Sequence, residues 1–232
     1  MRAIMRYETP APPAELGEVD GLAYSLWLPD GDPWAGLVIL HGAGSCKESH
    51  HDFARAARSA GLAAVCFDQR GHGASAGALD GRLLDDVGTV AGLLGDVPLA
   101  LRGSSMGGYV AILAAAHLGA QAAVAICPAS SDGLWRGLRG GEFDFRADVP
   151  SLEAFLAAHP LDAAVERLAL PLLLLHAEGD ERVPVAHSRE LARRSPAGQT
   201  ELVVVAGGHH RSVQHDAELQ GHALRWLRRV VG

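Results

Sequence analysis

The chain has 232 residues, a net charge of −7, 48% hydrophobic residues and 20% charged residues. This length suits one large α/β domain with a substantial buried core, and the composition is ordinary for a globular protein. The acidic balance excludes a basic stripe for nucleic acid, and no apolar stretch is long enough to span a bilayer, so we expect neither partner.

Short apolar runs alternate with helix-patterned segments after a proline-rich connection at residues 10–13. Strands are predicted at residues 22–28, 37–40, 62–67, 98–101, 122–126, 172–175 and 202–205. Helices are predicted at residues 53–60, 84–94 and 106–118, with an amphipathic closing helix at about residues 219–230. Continuous apolar strands that alternate with helices predict a doubly wound, mostly parallel sheet in a single domain of residues 1–232.

One long connection breaks this alternation between the strands at residues 122–126 and 172–175. It contains several glycines and the aromatic residues Trp135, Phe143 and Phe155. Connections of this length usually have a function. We expect a small cap insertion over an active site at about residues 129–170. The alternative is a surface excursion with one or two helices.

Residues 1–8 lack the apolar core and the small-residue cleavage site of a signal peptide. The three cysteines, Cys46, Cys66 and Cys127, form neither a zinc-ligand pattern nor a disulfide framework. Cys66 and Cys127 lie in apolar runs, which predicts buried thiols. We therefore expect a cytoplasmic location and no metal.

The segment Gly103-Ser104-Ser105-Met106-Gly107 has the spacing G-x-S-x-G, follows an apolar strand and opens an alanine-rich helix. A turn this tight forces its central residue into a strained backbone conformation. Small residues two positions before and after that residue prevent a steric clash between the turn and the neighbouring backbone. Ser105 would then stand exposed at the helix N-terminus, where the helix dipole and free amides favour developing negative charge. This context favours a nucleophilic Ser105 over a simple glycine-rich turn.

The strand at residues 37–40 leads into His-Gly-Ala-Gly at residues 41–44, whose small residues let a backbone amide approach a substrate oxygen. Together with Asp-Gln-Arg-Gly-His-Gly at residues 68–73 and the serine turn, this loop resembles the α/β-hydrolase family. The resemblance covers most of the chain, from Trp34 to Trp226. It implies an oxyanion hole made by the backbone amides of Ala43 and Met106.

In that family the nucleophile is followed along the chain by an acid and then by a histidine. Asp180 lies in an Asp-x-x-Val-Pro pattern that resembles the family's acid loop, and Asp132 is a weaker rival because some relatives place the acid there. The family's spacing of a glycine, two residues and a histidine selects His210 as the base, counted from Gly207. His209 is the alternative, since neighbours in an extended loop point in opposite directions.

Other polar residues have simpler interpretations. His41 is expected to fix its loop by a hydrogen bond, and His50 and His51 are candidates for the lining of the pocket. Glu178 and Glu181 are expected to be solvated loop charges. Structural or exposed positions are expected for His176, His187, His215 and His222. The histidines show no H-E-x-x-H spacing, so we expect no metal or organic cofactor.

The resemblance implies hydrolysis of a small or medium carboxylic ester, or of a thioester, through an acyl-enzyme intermediate. Within the family, residues 41–50 and 68–73 resemble those of small esterases and dienelactone-hydrolase-like relatives, although dienelactone hydrolases carry cysteine where this chain has Ser105. A peptidase or amidase with the same triad is the first alternative. A non-catalytic protein of this fold that binds a small ligand is the second. The expected partner is a small-molecule ester, and the sequence does not indicate an oligomeric state.

Overall fold

Within residues 10–232, which the computed structural model describes, eight strands form one mixed sheet. The strands are β1 Glu15–Val19, β2 Leu22–Trp27, β3 Ala35–Leu40, β4 Leu62–Phe67, β5 Leu99–Ser104, β6 Ala122–Ile126, β7 Leu172–Ala177 and β8 Thr200–Val205. Their order across the sheet is β1-β2-β4-β3-β5-β6-β7-β8. β2 runs antiparallel to both of its neighbours, and every other pair is parallel. The predicted doubly wound, mostly parallel sheet is confirmed.

Helices cover both faces of this sheet. They are α1 His51–Ser59, α2 Leu83–Ala91, α3 Met106–His117, α4 Ser131–Gly140, α5 Val149–Ala158, α6 Leu161–Glu166, α7 Val185–Arg194, α8 Ser212–His215 and α9 Ala217–Val231. One hydrophobic core lies under α2, α3, α5, α6 and α7, and a second lies under α1 and α9. The pleat of β3 serves both, because Val38 and Leu40 point into the first core and Leu37 and Ile39 into the second.

The central helix α3 is apolar on all sides because other elements surround it. It packs against β5 and β6 beneath it and against α2 and α6 beside it, so residues 106–115 are all buried. Its N-terminus therefore stands at the carboxyl edge of a fully flanked strand. Ligands of open α/β sheets bind at this edge.

Strand β1 and helix α7 were not among the elements predicted from the sequence. Strand β1 is polar and largely exposed, and it is held by its antiparallel pairing with β2 rather than by an apolar face. Helix α7 begins directly after the Val-Pro pattern and buries only Ser188 and Leu191, so its apolar stripe is narrow. The predicted helix at residues 84–94 ends earlier, at Ala91, and continues as a 3₁₀ turn at Gly92–Leu94.

The long connection between β6 and β7 holds three helices, α4, α5 and α6. Leu134, Leu152 and Leu161 attach them to the core beside α3. Within the described part of the chain, none of the helices has the length and hydropathy needed to cross a bilayer. The sequence expectation about residues 1–8 lies outside the described residues.

Candidate active site

The turn between β5 and α3 places Ser105 in a strained conformation, with φ of 56° and ψ of −118°. Glycine is required on both sides of it. A Cβ atom on Gly103 would lie 2.0 Å from the carbonyl oxygen of Gly107, and one on Gly107 would lie 2.4 Å from the carbonyl oxygen of Leu40. The G-x-S-x-G spacing is thus a direct steric requirement of this turn.

The loop at residues 41–44 lies directly against this serine. A Cβ atom on Gly42 would be 3.2 Å from Ser105 Cβ and 3.8 Å from Ser105 Oγ. The next backbone amide, that of Ala43, donates no hydrogen bond to any residue of the range 10–232. The amide of Met106 is the first of α3 and has no partner within the helix. Two free backbone donors therefore flank Ser105.

A buried hydrogen-bond network holds this loop. His41 Nε2 accepts from the amide of Gln69 at 3.0 Å, so His41 Nδ1 is the donor to the carbonyl of Gly42 at 2.8 Å. Burial lowers the pKa of His41 to about 4, which keeps the ring neutral. His72 Nε2 accepts from the amide of Gly44 at 3.1 Å. His41 thus fixes the loop, in the role that the sequence predicts.

The structure brings Asp180 and His210 together. His210 Nδ1 lies 2.7 Å from Asp180 Oδ2, and Asp180 Oδ1 accepts from the amides of Arg182 and Val183 at 2.8 Å each. Burial alone would raise the pKa of this carboxyl, but hydrogen bonds from two imidazoles and two amides hold it well below its ordinary value. His209 is exposed beside this pair and does not contact the carboxylate.

The second imidazole belongs to His176, for which the sequence predicts a structural or exposed position. It is fully buried at the end of β7, with Nε2 3.4 Å from Asp180 Oδ2 and 2.9 Å from the carbonyl of Val183. Its Nδ1 lies 2.7 Å from Ser188 Oγ. Nε2 must donate to the carbonyl of Val183, because a carbonyl oxygen only accepts, and Nδ1 forms the hydrogen bond with the serine hydroxyl. The weaker acid candidate, Asp132, is exposed on α4.

Ser105 and His210 line one cavity of about 790 Å³ at the carboxyl edge of the sheet. Within residues 10–232 their side chains form no direct hydrogen bond, and such contacts are often long before substrate binds. The amide of His210 donates to Glu181 Oε2 at 3.1 Å, which ties the histidine loop to the acid loop. The long connection contributes Leu134 and Phe143 to the wall.

The prediction that His50 and His51 line the pocket is wrong. His187 and His215 line the cavity, whereas His50 and His51 do not. Helix α1 packs against the second hydrophobic core, on the face of the sheet opposite α3, and the side chain of His50 is buried there. There His50 Nδ1 accepts a hydrogen bond from the buried guanidinium of Arg102 at 3.1 Å.

The cysteines are all free, and Cys66 and Cys127 are buried as predicted. Cys127 belongs to a group with Asp180 and His210 whose potential metal-ligand atoms lie within 4.8 Å of one another. Burial raises the pKa of the Cys127 thiol, so it stays protonated. The other two members already bind each other. These residues therefore suit a hydrogen-bonded pair better than a metal centre.

Comparisons with known proteins agree with the fold. Residues 31–135 match the family model described as "Serine aminopeptidase, S33". The monoacylglycerol lipase of Mycolicibacterium smegmatis is 26% identical over 82% of this chain and 85% of its own length. A putative hydrolase from Agrobacterium vitis S4 superposes with a TM-score of 0.73 and 21% identity, covering 94% of this chain and 97% of its own. The monoacylglycerol lipase of Paleococcus ferrophilus superposes with a TM-score of 0.71 and 20% identity, covering 89% of this chain and 98% of its own. The chain therefore shares the α/β-hydrolase fold with these solved structures, and its residues 31–135 resemble the serine aminopeptidase family model.

Proposed function

We propose that the protein is a serine hydrolase that cleaves a small or medium carboxylic ester through an acyl-enzyme intermediate. One observation carries the proposal: Ser105 stands in a strained turn between two free backbone amides, in the same cavity as the paired His210 and Asp180. A nucleophile, a base held by an acid, and donors for an oxyanion are the parts that acyl transfer needs.

In the proposed reaction His210 Nε2 takes the proton of Ser105 as Oγ bonds to the ester carbonyl carbon. The carbonyl oxygen becomes an oxyanion, which the amides of Ala43 and Met106 stabilise. Asp180 fixes the Nδ1–H tautomer of the imidazole and stabilises the imidazolium. The tetrahedral centre then collapses, the C–O bond to the alcohol breaks, and His210 protonates the leaving oxygen. A water molecule activated by His210 releases the acid and regenerates the hydroxyl of Ser105.

Relatives support the ester class, since the similar proteins of M. smegmatis and P. ferrophilus are named monoacylglycerol lipases. We also propose that residues 129–170 act as the cap of this site. Leu134 and Phe143 from this segment form part of the cavity wall. A volume of about 790 Å³ is in the usual range of small-molecule sites.

The test is hydrolysis of p-nitrophenyl esters of increasing acyl length by the wild type and by Ser105→Ala. The variant should lose essentially all activity, and a fluorophosphonate probe should label the wild type alone. Ser104→Ala is the matched control, because it removes the neighbouring hydroxyl from the same turn, and it should keep most of its activity. Full activity in Ser105→Ala would refute the nucleophile.

A peptidase is the second candidate, because the matching family model carries the description of a serine aminopeptidase. The same residues would then attack an amide, and His210 would protonate the leaving amine. Hydrolysis of an aminoacyl p-nitroanilide with a higher kcat/KM than any ester would favour it. Thioester substrates belong in the same comparison. A protein that hydrolyses none of these and resists the probe would instead be a ligand-binding member of the fold.

A further inference from the structure

Three arginines from separate parts of the chain converge on the cavity of Ser105. Arg136 comes from α4, Arg182 from the acid loop and Arg211 from the position after His210. None of the three guanidinium groups forms a hydrogen bond or an ion pair with another residue in the described part of the chain. Many other arginines are paired; Arg139, for example, lies on the same helix as Arg136 and binds Glu153.

This cationic group stands out because the chain as a whole is acidic, with a net charge of −7. Positive charge along a cleft in such a protein raises the local concentration of anions and speeds their capture. Arginine remains charged at any working pH, and its planar fork matches a carboxylate with two parallel hydrogen bonds. The three side chains are exposed and thus available to a ligand.

The other charges in the cavity limit how negative the ligand can be. Glu142 and Glu181 also line it, and Glu181 accepts the hydrogen bond from the amide of His210. His187, His210 and His215 complete the titratable lining, and His215 is paired with Asp52. Three guanidinium groups against two carboxylates leave one surplus positive charge. That balance suits a single carboxylate rather than a phosphate dianion.

We propose that the natural substrate is an ester that carries a carboxylate remote from the scissile bond, and that Arg136, Arg182 and Arg211 select it. This inference rests on the proposed function. The cavity wall supports it, since only a minority of its residues offer apolar side chains, among them Leu134 and Phe143. A purely aliphatic acyl chain would displace water from polar groups without replacing their hydrogen bonds.

The test compares two p-nitrophenyl esters of equal shape, the adipate monoester and the 6-methylheptanoate ester, in which an isopropyl group replaces the carboxylate. Wild-type kcat/KM should be about tenfold higher for the adipate at low ionic strength. The advantage should shrink as salt is added, because the attraction is screened. Rates measured with Ser105→Ala are subtracted as the blank for spontaneous cleavage.

Arg136→Gln, Arg182→Gln and Arg211→Gln should each lower the adipate preference, and the triple variant should bring the ratio of the two kcat/KM values near one. Arg225→Gln, on the exposed face of α9 and outside the cavity, is the matched control and should leave the ratio unchanged. The neutral ester reports on the catalytic machinery in the same variants. A general loss of folding therefore lowers both rates and leaves the ratio of the two kcat/KM values unchanged.

An equal or lower kcat/KM for the adipate in the wild type overturns the substrate class. A preference that survives in the triple variant overturns the assignment to these arginines. Either result leaves the proposed function intact, because the neutral ester is still cleaved at Ser105. Failure to hydrolyse either ester, with no labelling of Ser105 by the fluorophosphonate probe, overturns the proposed function and this inference with it.

Discussion

The buried imidazole of His41 makes the stability of the fold depend on pH in a way that can be calculated. Its pKa is about 4 in the folded protein, against about 6.5 for an unfolded histidine. The unfolded chain therefore binds the proton more tightly. The stabilising contribution of neutral His41 is complete above about pH 6.5 and is lost as the pH falls toward about 4. Between about pH 7 and pH 5 this residue alone should remove about 2 kcal/mol from the free energy of unfolding.

The perturbation is His41→Asn, which keeps an N–H donor near the carbonyl of Gly42 but does not titrate in this range. Urea unfolding followed by tryptophan fluorescence at pH 7 and pH 5 gives the free energies. The variant loses the acceptor for the amide of Gln69 and should be less stable at pH 7 by about 1–3 kcal/mol. Its further loss on going to pH 5 should be smaller than that of the wild type by about 2 kcal/mol.

His117→Asn provides the control, because His117 is exposed at the end of α3 and should leave the pH dependence of the wild type in place. Other histidines with lowered pKa values, such as His50 and His72, remain in all three proteins, so the difference between the variant and the wild type reports on the loss of His41 and its coupling to them. An identical fall in stability for the wild type and His41→Asn would refute the assignment of a neutral, buried His41.

Three further changes test the turn, the buried charge and the proposed acid. Gly103→Ala would place a methyl group 2.0 Å from a carbonyl oxygen and should prevent folding or lower the melting temperature by many degrees, whereas Gly92→Ala, with open space around it, should be neutral or slightly stabilising in the same thermal scan. Lys47→Met removes the ammonium 2.9 Å from the fully buried carboxylate of Asp68 and should lower the free energy of unfolding in urea by about 3 kcal/mol. A loss below about 1 kcal/mol would show that the backbone amides of residues 47 and 74, which also donate to this carboxylate, are enough to stabilise its charge. Asp180→Asn should lower kcat for ester hydrolysis by about 10⁴-fold with the fold intact, and near-normal kcat would contradict its role.

Local patterns predicted the buried strands and the serine turn because both leave a signal in consecutive residues. The short apolar runs at residues 37–40, 62–67 and 122–126 form buried strands, and the tight turn demands Gly103 and Gly107 for steric reasons that the spacing expresses. Strand β1 escaped because its structure comes from pairing with β2, and the polar pattern of its residues gives no sign of that pairing.

Candidate residues could be predicted where a single loop carries the signal. Contacts between segments that are distant in sequence could not be predicted. Asp180 and His210 could be selected from their own loops. The contact of His176 with Asp180 could not, because it depends on how β7 ends and where α7 packs. Likewise, nothing local shows that Arg136, Arg182 and Arg211 share a cavity, since 75 positions separate the first from the last.

The position of the strands within the sheet divides the proposed machinery into two parts of unequal stability. Ser105 follows β5, which is flanked by β3 and β6 and almost wholly buried. His210 follows β8, which within residues 10–232 is an edge strand paired with β7 alone and is only half-buried along its whole length. Partial opening of a protein begins at such weakly held elements, well below the free energy of global unfolding. The histidine loop can thus detach with β8 while the nucleophile stays in place, so mild denaturant would abolish turnover reversibly before the main core unfolds.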